Sequence, residues 1–283
     1  MTPNFLVIGA QKSATSTLCT LLAEHSDVFM TDPKEPFFFS HDEFWNEGWQ
    51  WYEALFEGAS GARALGEGST TYTQHHLYPD APQRIAQHLP DARLIYIVRD
   101  PFERIESQYM HLRSKGGRET LPFAEAVRTR PAYIDNSLYD HQLSFYREAY
   151  PDDQLLVLFF EDFKADQQGI LRQCFEFIGV NPDAPHETRE QHTHASSEGR
   201  VDTGLLGPLR RVPLFERARD AAPSWIREPL RQVLKKPVGD RPVWDDALRG
   251  WTEDRLRDDT QAFLTRYGKP LDHWGGWTQR SAG

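Results

Sequence analysis

Phe5–Ile8 is an unbroken apolar run, and the nine residues after it bring a glycine, a lysine and four hydroxyl side chains: "NFLVIGAQKSATSTL". A short apolar run of this kind fits a strand buried on both faces of a parallel sheet. Gly9 lets the chain turn sharply after the strand. A helix is expected from Ser13 to Glu24, with Leu18, Leu21 and Leu22 on one face. Ser13, Thr15, Ser16 and Thr17, with Ala14 among them, crowd its N-terminus, where free N–H groups and the helix dipole favour an anion. Lys12 adds a full positive charge at the loop tip. The same residues would also serve as a plain helix cap beside an exposed lysine. The order strand, glycine, lysine, hydroxyls favours the anion site.

The ATP-type pattern G-x-x-x-x-G-K-[ST] does not fit. Lys12 lies three residues after Gly9 and no glycine precedes it. Asp100 in "VRDP" is the one strand-end aspartate available for magnesium. The loop therefore suits a nucleotide whose transferable group needs no metal, and no metal ligand set is expected.

The rest of the chain alternates strands and helices. Val28–Met30 reads as a short strand, Ala64–Gly66 begins another that ends in "GEGSTTY", and "ARLIYIVRDP" is the clearest of all. Pro101 stops it and "FERIESQYMHLR" continues as a helix. "DQLLVLFFEDF" reads as a buried strand followed by the amphipathic helix "QGILRQCFEFIGV", and a last helix runs through "WTEDRLRDDTQAFLTRYGKPLDHW" and docks back through tryptophan. This alternation predicts one α/β domain over 1–283 with a central, mostly parallel sheet flanked by helices. Residues 200–241 differ in kind. They carry ten Lys/Arg against five Asp/Glu, +5 inside a chain of net charge −10. They read as a basic, proline-rich helical insertion packed near the site, or as a solvated basic face.

Arg99 ends the "LIYIV" strand, and Ser107 lies eight residues on, within the following helix. A strand-end arginine can clamp a phosphate through two hydrogen bonds and a nearby serine can add a third. Both loops belong at the carboxyl ends of parallel strands, where such sheets bind ligands. An ion pair of Arg99 with neighbouring acidic residues is the plainer alternative.

The acidic balance argues against nucleic-acid binding. Cys19 and Cys174 sit in apolar, helical-looking stretches and read as free buried thiols. The N-terminus shows no Sec-type signal, and no apolar run approaches transmembrane length, so a soluble cytoplasmic enzyme is expected. Oligomeric state is not specified.

At this point the residues resemble a family, the sulfotransferases that use 3′-phosphoadenosine 5′-phosphosulfate (PAPS). "GAQKSATSTL" resembles their P-loop-like 5′-phosphosulfate loop and "RDPFERIESQYMH" their 3′-phosphate motif. "FFEDFKADQQGILRQCFEFIGV" and "LTRYGKPLDHW" resemble a late segment and the usual ending. The resemblance implies that Lys12, Ser13, Ala14, Thr15, Ser16 and Thr17 hold the phosphosulfate. It implies that Lys12 stabilises the leaving group, and that Arg99 and Ser107 grip the 3′-phosphate. "SSEGR" resembles a later loop closing over the nucleotide, which adds Gly199 and Arg200. The product would be adenosine 3′,5′-bisphosphate.

"KEPFFFSHDEFW" resembles the bacterial and heparan-type carbohydrate branch, where the glutamate of this motif acts as base; Glu35 matches it. Three adjacent phenylalanines are expected to desolvate Glu35 and make it more basic, against Lys34. A surface pair of Glu35 with Lys34 is the alternative, and His41 and His111 are rival bases. Phe37, His41, Tyr72 and Tyr139 are expected to contact the acceptor. Trp45, Trp49, Trp51 and Tyr52 could stack on a sugar or lipid, but at this spacing suit a core. Heparan-type enzymes often carry charged or polar residues where Phe37, Ser40, Gly68 and Ser16 stand here. With the negative net charge, this points to a neutral or amphiphilic hydroxyl acceptor: a glycolipid, glycoside or secondary metabolite. Two other functions stay open from the residues, a P-loop small-molecule kinase using Mg-ATP and a non-catalytic nucleotide-binding protein on the same fold.

Overall fold

The computed structural model describes residues 1–114, 117–184, 200–202, 235–237 and 242–275. Five strands, β1 (Phe5–Gly9), β2 (Val28–Met30), β3 (Ala64–Gly68), β4 (Arg93–Val98) and β5 (Leu155–Phe159), form one sheet in the order β2-β3-β1-β4-β5. Every pairing in it is parallel. The sheet is thus entirely, not mostly, parallel.

The double-sided burial expected of β1 is realised. Phe5 and Val7, with Ile95 and Ile97 of β4, enter a core closed by Leu18 and Leu22 of α1 (Thr15–Ala23) and by Cys174, Phe175 and Ile178 of a late helix, Gln167–Ile178. Leu6 and Ile8, with Leu94, Tyr96 and Val98, enter the opposite core with residues of the helix Pro101–Ser114 and of the last helix. Each such side chain, fully buried, stabilises the fold by roughly 1.5–3 kcal/mol. Cys19 and Cys174 are free and buried, and burial pushes both thiols up to about 12.

Between β2 and β3 lie α2 (Asp42–Trp45) and α3 (Trp49–Ala54), and between β3 and β4 lie a 3-10 turn (Thr70–Thr73) and α4 (Ala81–His88). After β4 come α5 (Pro101–Ser114), α6 (Phe123–Thr129), α7 (Ala132–Asp135) and α8 (Tyr139–Arg147). After β5 come α9 (Phe160–Ala165) and α10 (Gln167–Ile178), and α11 (Asp246–Arg266) closes the fold. Two helix starts carry side-chain caps. Asp166 caps α10 by accepting from Gly169 N at 2.9 Å, and Asp245 caps α11 by accepting from Leu248 N at 2.7 Å. Helix α10 ends on Gly179 in the left-handed region at φ 80, with Val180 N donating to Phe175 O.

Three expectations shift. Helix α1 begins at Thr15, not Ser13, because Lys12 and Ala14 both adopt left-handed backbone, φ 71 and 68. The strand read through "FFEDF" stops at Phe159, and the remainder turns into α9, with Phe163 buried beneath it. The ends of the basic stretch form a backbone ribbon, β6 (Arg200–Asp202) antiparallel to β7 (Lys235–Pro237), instead of helix. The rest of 200–241 and Gly199 lie outside the described residues. Trp274 does dock back: it is buried and donates through Nε1 to Glu161 Oε2 at 3.1 Å.

The aromatic run after β2 builds core. Phe38 and Phe39 are buried, and Phe38 stacks on Tyr52 at 4.5 Å and packs against Trp45, Trp49 and Trp51.

Candidate active site

The site is built at the carboxyl edge of the sheet, from three segments that leave neighbouring strands. The first follows β1. Gly9 pairs with Tyr96, and Ala10 N donates to Ile97 O at 2.7 Å, so the loop leaves the sheet alongside the end of β4. A Cβ on Gly9 would meet Thr73 Oγ1 at 2.1 Å and the Tyr96 ring at 3.0 Å, so close packing requires glycine there. Two non-glycine residues in left-handed backbone, Lys12 and Ala14, alternate with Ser13 and Thr15. Turns of this kind make concave arrays of N–H groups that suit anions. Ala14 is the N-cap of α1 and no side chain caps the helix. Ser13 is 0% exposed and its Oγ has no hydrogen-bond partner among the described residues. A buried hydroxyl left so is costly, and an anion's oxygen is one acceptor that would satisfy it.

The second segment follows β4. Arg99 has its side chain 17% exposed, with its guanidinium 4.8 Å over the Phe160 ring and NH1 reaching Lys12 O at 3.4 Å. It ion-pairs with Glu103, as the plainer alternative held, yet its Nε is buried without a partner among the described residues. Glu103 is largely exposed, so the pair is a weak, surface one that a dianionic phosphate can displace. Ser107 lies one turn beyond Glu103 on α5, partly exposed. Asp100 caps this helix by accepting from Glu103 N at 3.0 Å; burial pushes its carboxyl up to about 6. Its own N–H donates to Glu161 Oε1 at 3.0 Å, which ties the loop to the Trp274 hook.

The third segment follows β2. Glu35 and Phe37 are both in left-handed backbone, at φ 59 and 58. Glu35 Oε1 accepts from Thr70 Oγ1 at 2.9 Å. Lys34 turns away to donate to Ser16 Oγ at 2.5 Å, which joins this segment to the start of α1. Glu35 is only partly buried, because Phe38 and Phe39 point into the core instead of around it. The expected phenylalanine cage is therefore absent. The desolvated carboxylate is instead Glu67, at 0% exposure, which sequence reading passed over; burial pushes it up to about 7. Its one signal was a lone charge among the small residues of "GEGSTTY".

Two acceptor contacts need correction. Tyr72 and Tyr139 are both 0% exposed. The Tyr72 hydroxyl donates to Glu67 at 2.6 Å and that of Tyr139 to Arg99 O at 2.8 Å, so both support the site from beneath. Phe37 and His41 remain partly exposed, and their rings pack at a tilt of 42° with centroids 4.8 Å apart. Both His41 ring nitrogens have partners, Ser40 Oγ at 2.9 Å and Tyr78 OH at 3.1 Å, and burial lowers its pKa. Gly68 has no room for a longer residue, since a Cβ would meet Cys19 Sγ at 2.6 Å. Gly68→Ala is expected to destabilise the protein by roughly 1–3 kcal/mol through overpacking, read as a lower urea midpoint.

Two loops leave the carboxyl edge of a parallel sheet side by side, each with a buried donor that has no partner among the described residues, at the edge where such sheets bind ligands. The family model described as "Sulfotransferase domain" matches residues 2–199, and the chain belongs to that family. It is 28% identical over 96% of its length to the mouse bifunctional heparan sulfate N-deacetylase/N-sulfotransferase 3, covering 31% of that protein. It is 31% identical over 63% of its length to mouse heparan sulfate glucosamine 3-O-sulfotransferase 3B1, covering 46% of that protein. The chain thus spans about a third to a half of these relatives. The crystal structure of a sulfotransferase from Alicyclobacillus acidocaldarius superposes with a TM-score of 0.68 at 25% identity, covering 97% of this chain and 99% of that one. The sulfotransferase domain from the curacin biosynthetic pathway shares the fold at a TM-score of 0.53 and 16% identity, with 96% and 99% covered. The family match leaves the kinase reading without support. No helix among the described residues is long and apolar enough to cross a membrane.

Proposed function

We propose that residues 1–283 form one sulfotransferase domain that transfers a sulfuryl group from PAPS to a hydroxyl of a neutral or amphiphilic acceptor and releases adenosine 3′,5′-bisphosphate. The observation that carries this reading is the junction of the two anion loops: Arg99 NH1 reaches the carbonyl of Lys12, and each loop holds a buried donor, Ser13 Oγ and Arg99 Nε, with no partner among the described residues. PAPS supplies the sulfuryl group on a phosphate leaving group. In this reading Ser13, Thr15, Ser16 and Thr17 bind the 5′-phosphosulfate around the start of α1. Lys12 stabilises the charge left on the bridging oxygen as its bond to sulfur breaks. Arg99 and Ser107 bind the 3′-phosphate. Glu35 takes the proton of the acceptor hydroxyl as the new S–O bond forms.

The acceptor class rests on what the site lacks. The resemblance places cations in the heparan-type enzymes where Ser16 and Gly68 stand here, and Gly68 is held by packing against Cys19. Lys34 is drawn onto Ser16. Octyl β-glucoside is therefore expected to be sulfated faster than an N-sulfated heparan oligosaccharide when both are offered with PAPS.

Arg99→Ala tests the donor site. By calorimetry it is expected to weaken adenosine 3′,5′-bisphosphate binding by roughly 1.5–3 kcal/mol, the scale of a charged hydrogen bond, and to change adenosine 5′-monophosphate binding much less. Equal losses for both nucleotides would make Arg99 structural.

A further inference from the structure

The stretch "GEGSTTY" carries a single charged residue, Glu67, next to the last position of β3. Its side chain is completely buried. A carboxylate taken out of water is costly unless donors surround it. Glu67 has three. Tyr52 OH and Tyr72 OH donate to Oε1 at 3.3 and 2.6 Å, and Ser69 Oγ donates to Oε2 at 2.9 Å. The two tyrosines belong to the core. Ser69 faces the other way: its Oγ also accepts the backbone N–H of Phe37 at 3.2 Å.

That N–H belongs to a strained turn, closed on its far side by Ser40 N and His41 N donating to Phe37 O at 3.1 and 2.9 Å. Glu35 and Phe37, flanking Pro36, both occupy left-handed backbone without being glycine. Such residues cost on the order of 1–3 kcal/mol each and persist only where the surroundings over-determine them. Three consecutive hydroxyls add constraint from outside the turn. Ser69 holds Phe37 N, Thr70 Oγ1 donates to Glu35 Oε1, and Thr71 Oγ1 lies 2.7 Å from Ser40 Oγ, which itself donates to Phe37 O at 3.1 Å. Of the three, Ser69 is the one tied to a fully buried carboxylate. The negative charge of Glu35 also raises the pKa of Glu67, after the larger effect of burial, so the two carboxylates lie within electrostatic reach.

We propose that Glu67 is a positioning residue for sulfuryl transfer: through Ser69 it fixes the left-handed turn at Glu35–Phe37 and so aims the Glu35 carboxylate at the acceptor. This rests on the reading of Glu35 as the base. Glu67 touches neither donor nor acceptor in this role; it acts through one hydroxyl and one backbone N–H.

The test compares Glu67→Gln, Ser69→Ala, Tyr52→Phe and Glu35→Gln in the full chain. Turnover is measured with the best of a panel of neutral glycosides, or with water as acceptor where none exceeds PAPS hydrolysis. Each variant is first checked for adenosine 3′,5′-bisphosphate affinity within twofold of wild type, which shows that the sheet and the anion loops are intact. Glu67→Gln and Ser69→Ala are expected to lower kcat about tenfold or more, since a misplaced base costs rate steeply, with the KM for PAPS unchanged. Hydrogen exchange of the segment 34–41 should quicken in both. Tyr52→Phe removes a Glu67 hydrogen bond on the core side only, and should leave kcat within twofold. Ser69→Ala added to Glu35→Gln should cost less than twofold more, because a residue that acts through Glu35 has nothing left to aim. Full additivity in that double variant, or equal losses from Tyr52→Phe and Ser69→Ala, overturns the proposal. So does wild-type turnover in both Glu67→Gln and Ser69→Ala beside an impaired Glu35→Gln. Wild-type turnover in Glu35→Gln itself overturns the base assignment first, and the proposal with it.

Discussion

Lys12→Ala is expected to lower kcat by about a hundredfold or more, the effect of losing one preorganised donor to a developing oxyanion. Lys12 stands at the tip of the loop after β1, in left-handed backbone at φ 71. Alanine pays the same backbone cost there, so the substitution removes the charge without relieving or adding strain. Its carbonyl, which Arg99 reaches at 3.4 Å, is retained. The 3′-phosphate site should therefore survive, and adenosine 3′,5′-bisphosphate affinity should fall less than tenfold. A lysine that acts on charge appearing only as the S–O bond breaks lowers kcat and kcat/KM together, whereas one that merely holds the nucleotide raises KM alone. Steady-state kinetics with varied PAPS separates the two. Near-normal kcat would remove Lys12 from the chemistry and leave it as a loop cation.

Glu35→Gln should produce a loss of similar size, about a hundredfold or more in kcat, with PAPS affinity nearly unchanged. The amide keeps the shape of the side chain and can still accept from Thr70 Oγ1, so the turn at 35–37 is retained while basicity is lost. The acceptor proton leaves as the new bond forms, and with a loose transition state that demand is late and modest, which bounds the effect near the low end of general-base catalysis. The histidines supply the control. His41 is held between Ser40 and Tyr78, and burial disfavours its charged form. His41→Ala and His111→Ala are expected to be milder than Glu35→Gln. A dead histidine variant beside an active Glu35→Gln would reassign the base and detach the acceptor side from the carbohydrate branch.

Much of this was legible in the chain. The run Phe5–Ile8 and the "LIYIV" run specified parallel strands buried on both faces, because no polar residue interrupts them to mark a solvent side. The glycine, lysine and hydroxyl order after the first strand, and the arginine at the end of another, marked two candidate anion loops, and the structure sets these two loops side by side. The family resemblance spread over most of the chain, and the match over residues 2–199 agrees with it. The short helices α2, α3, α4, α6, α7 and α8 were not read. Most are a few residues long, with helical periodicity too brief to stand out.

What only the tertiary structure decided was direction. Sequence reading surrounded Glu35 with phenylalanines, and placed Tyr72 and Tyr139 against the acceptor. Left-handed backbone at Glu35 and Phe37 instead accompanies Phe38 and Phe39 packed into the core with Tyr52, and Glu35 stays partly exposed. Tyr72, in the 3-10 turn after β3, and Tyr139, at the start of α8, are both buried and bond to Glu67 and to Arg99 O, contacts that spacing along the chain does not announce. Glu67 became notable only once its burial was seen. Adjacency along the chain determines which residues share a segment; the sign of φ at two residues, and the strand order, determine which of them stay exposed at the carboxyl edge of the sheet.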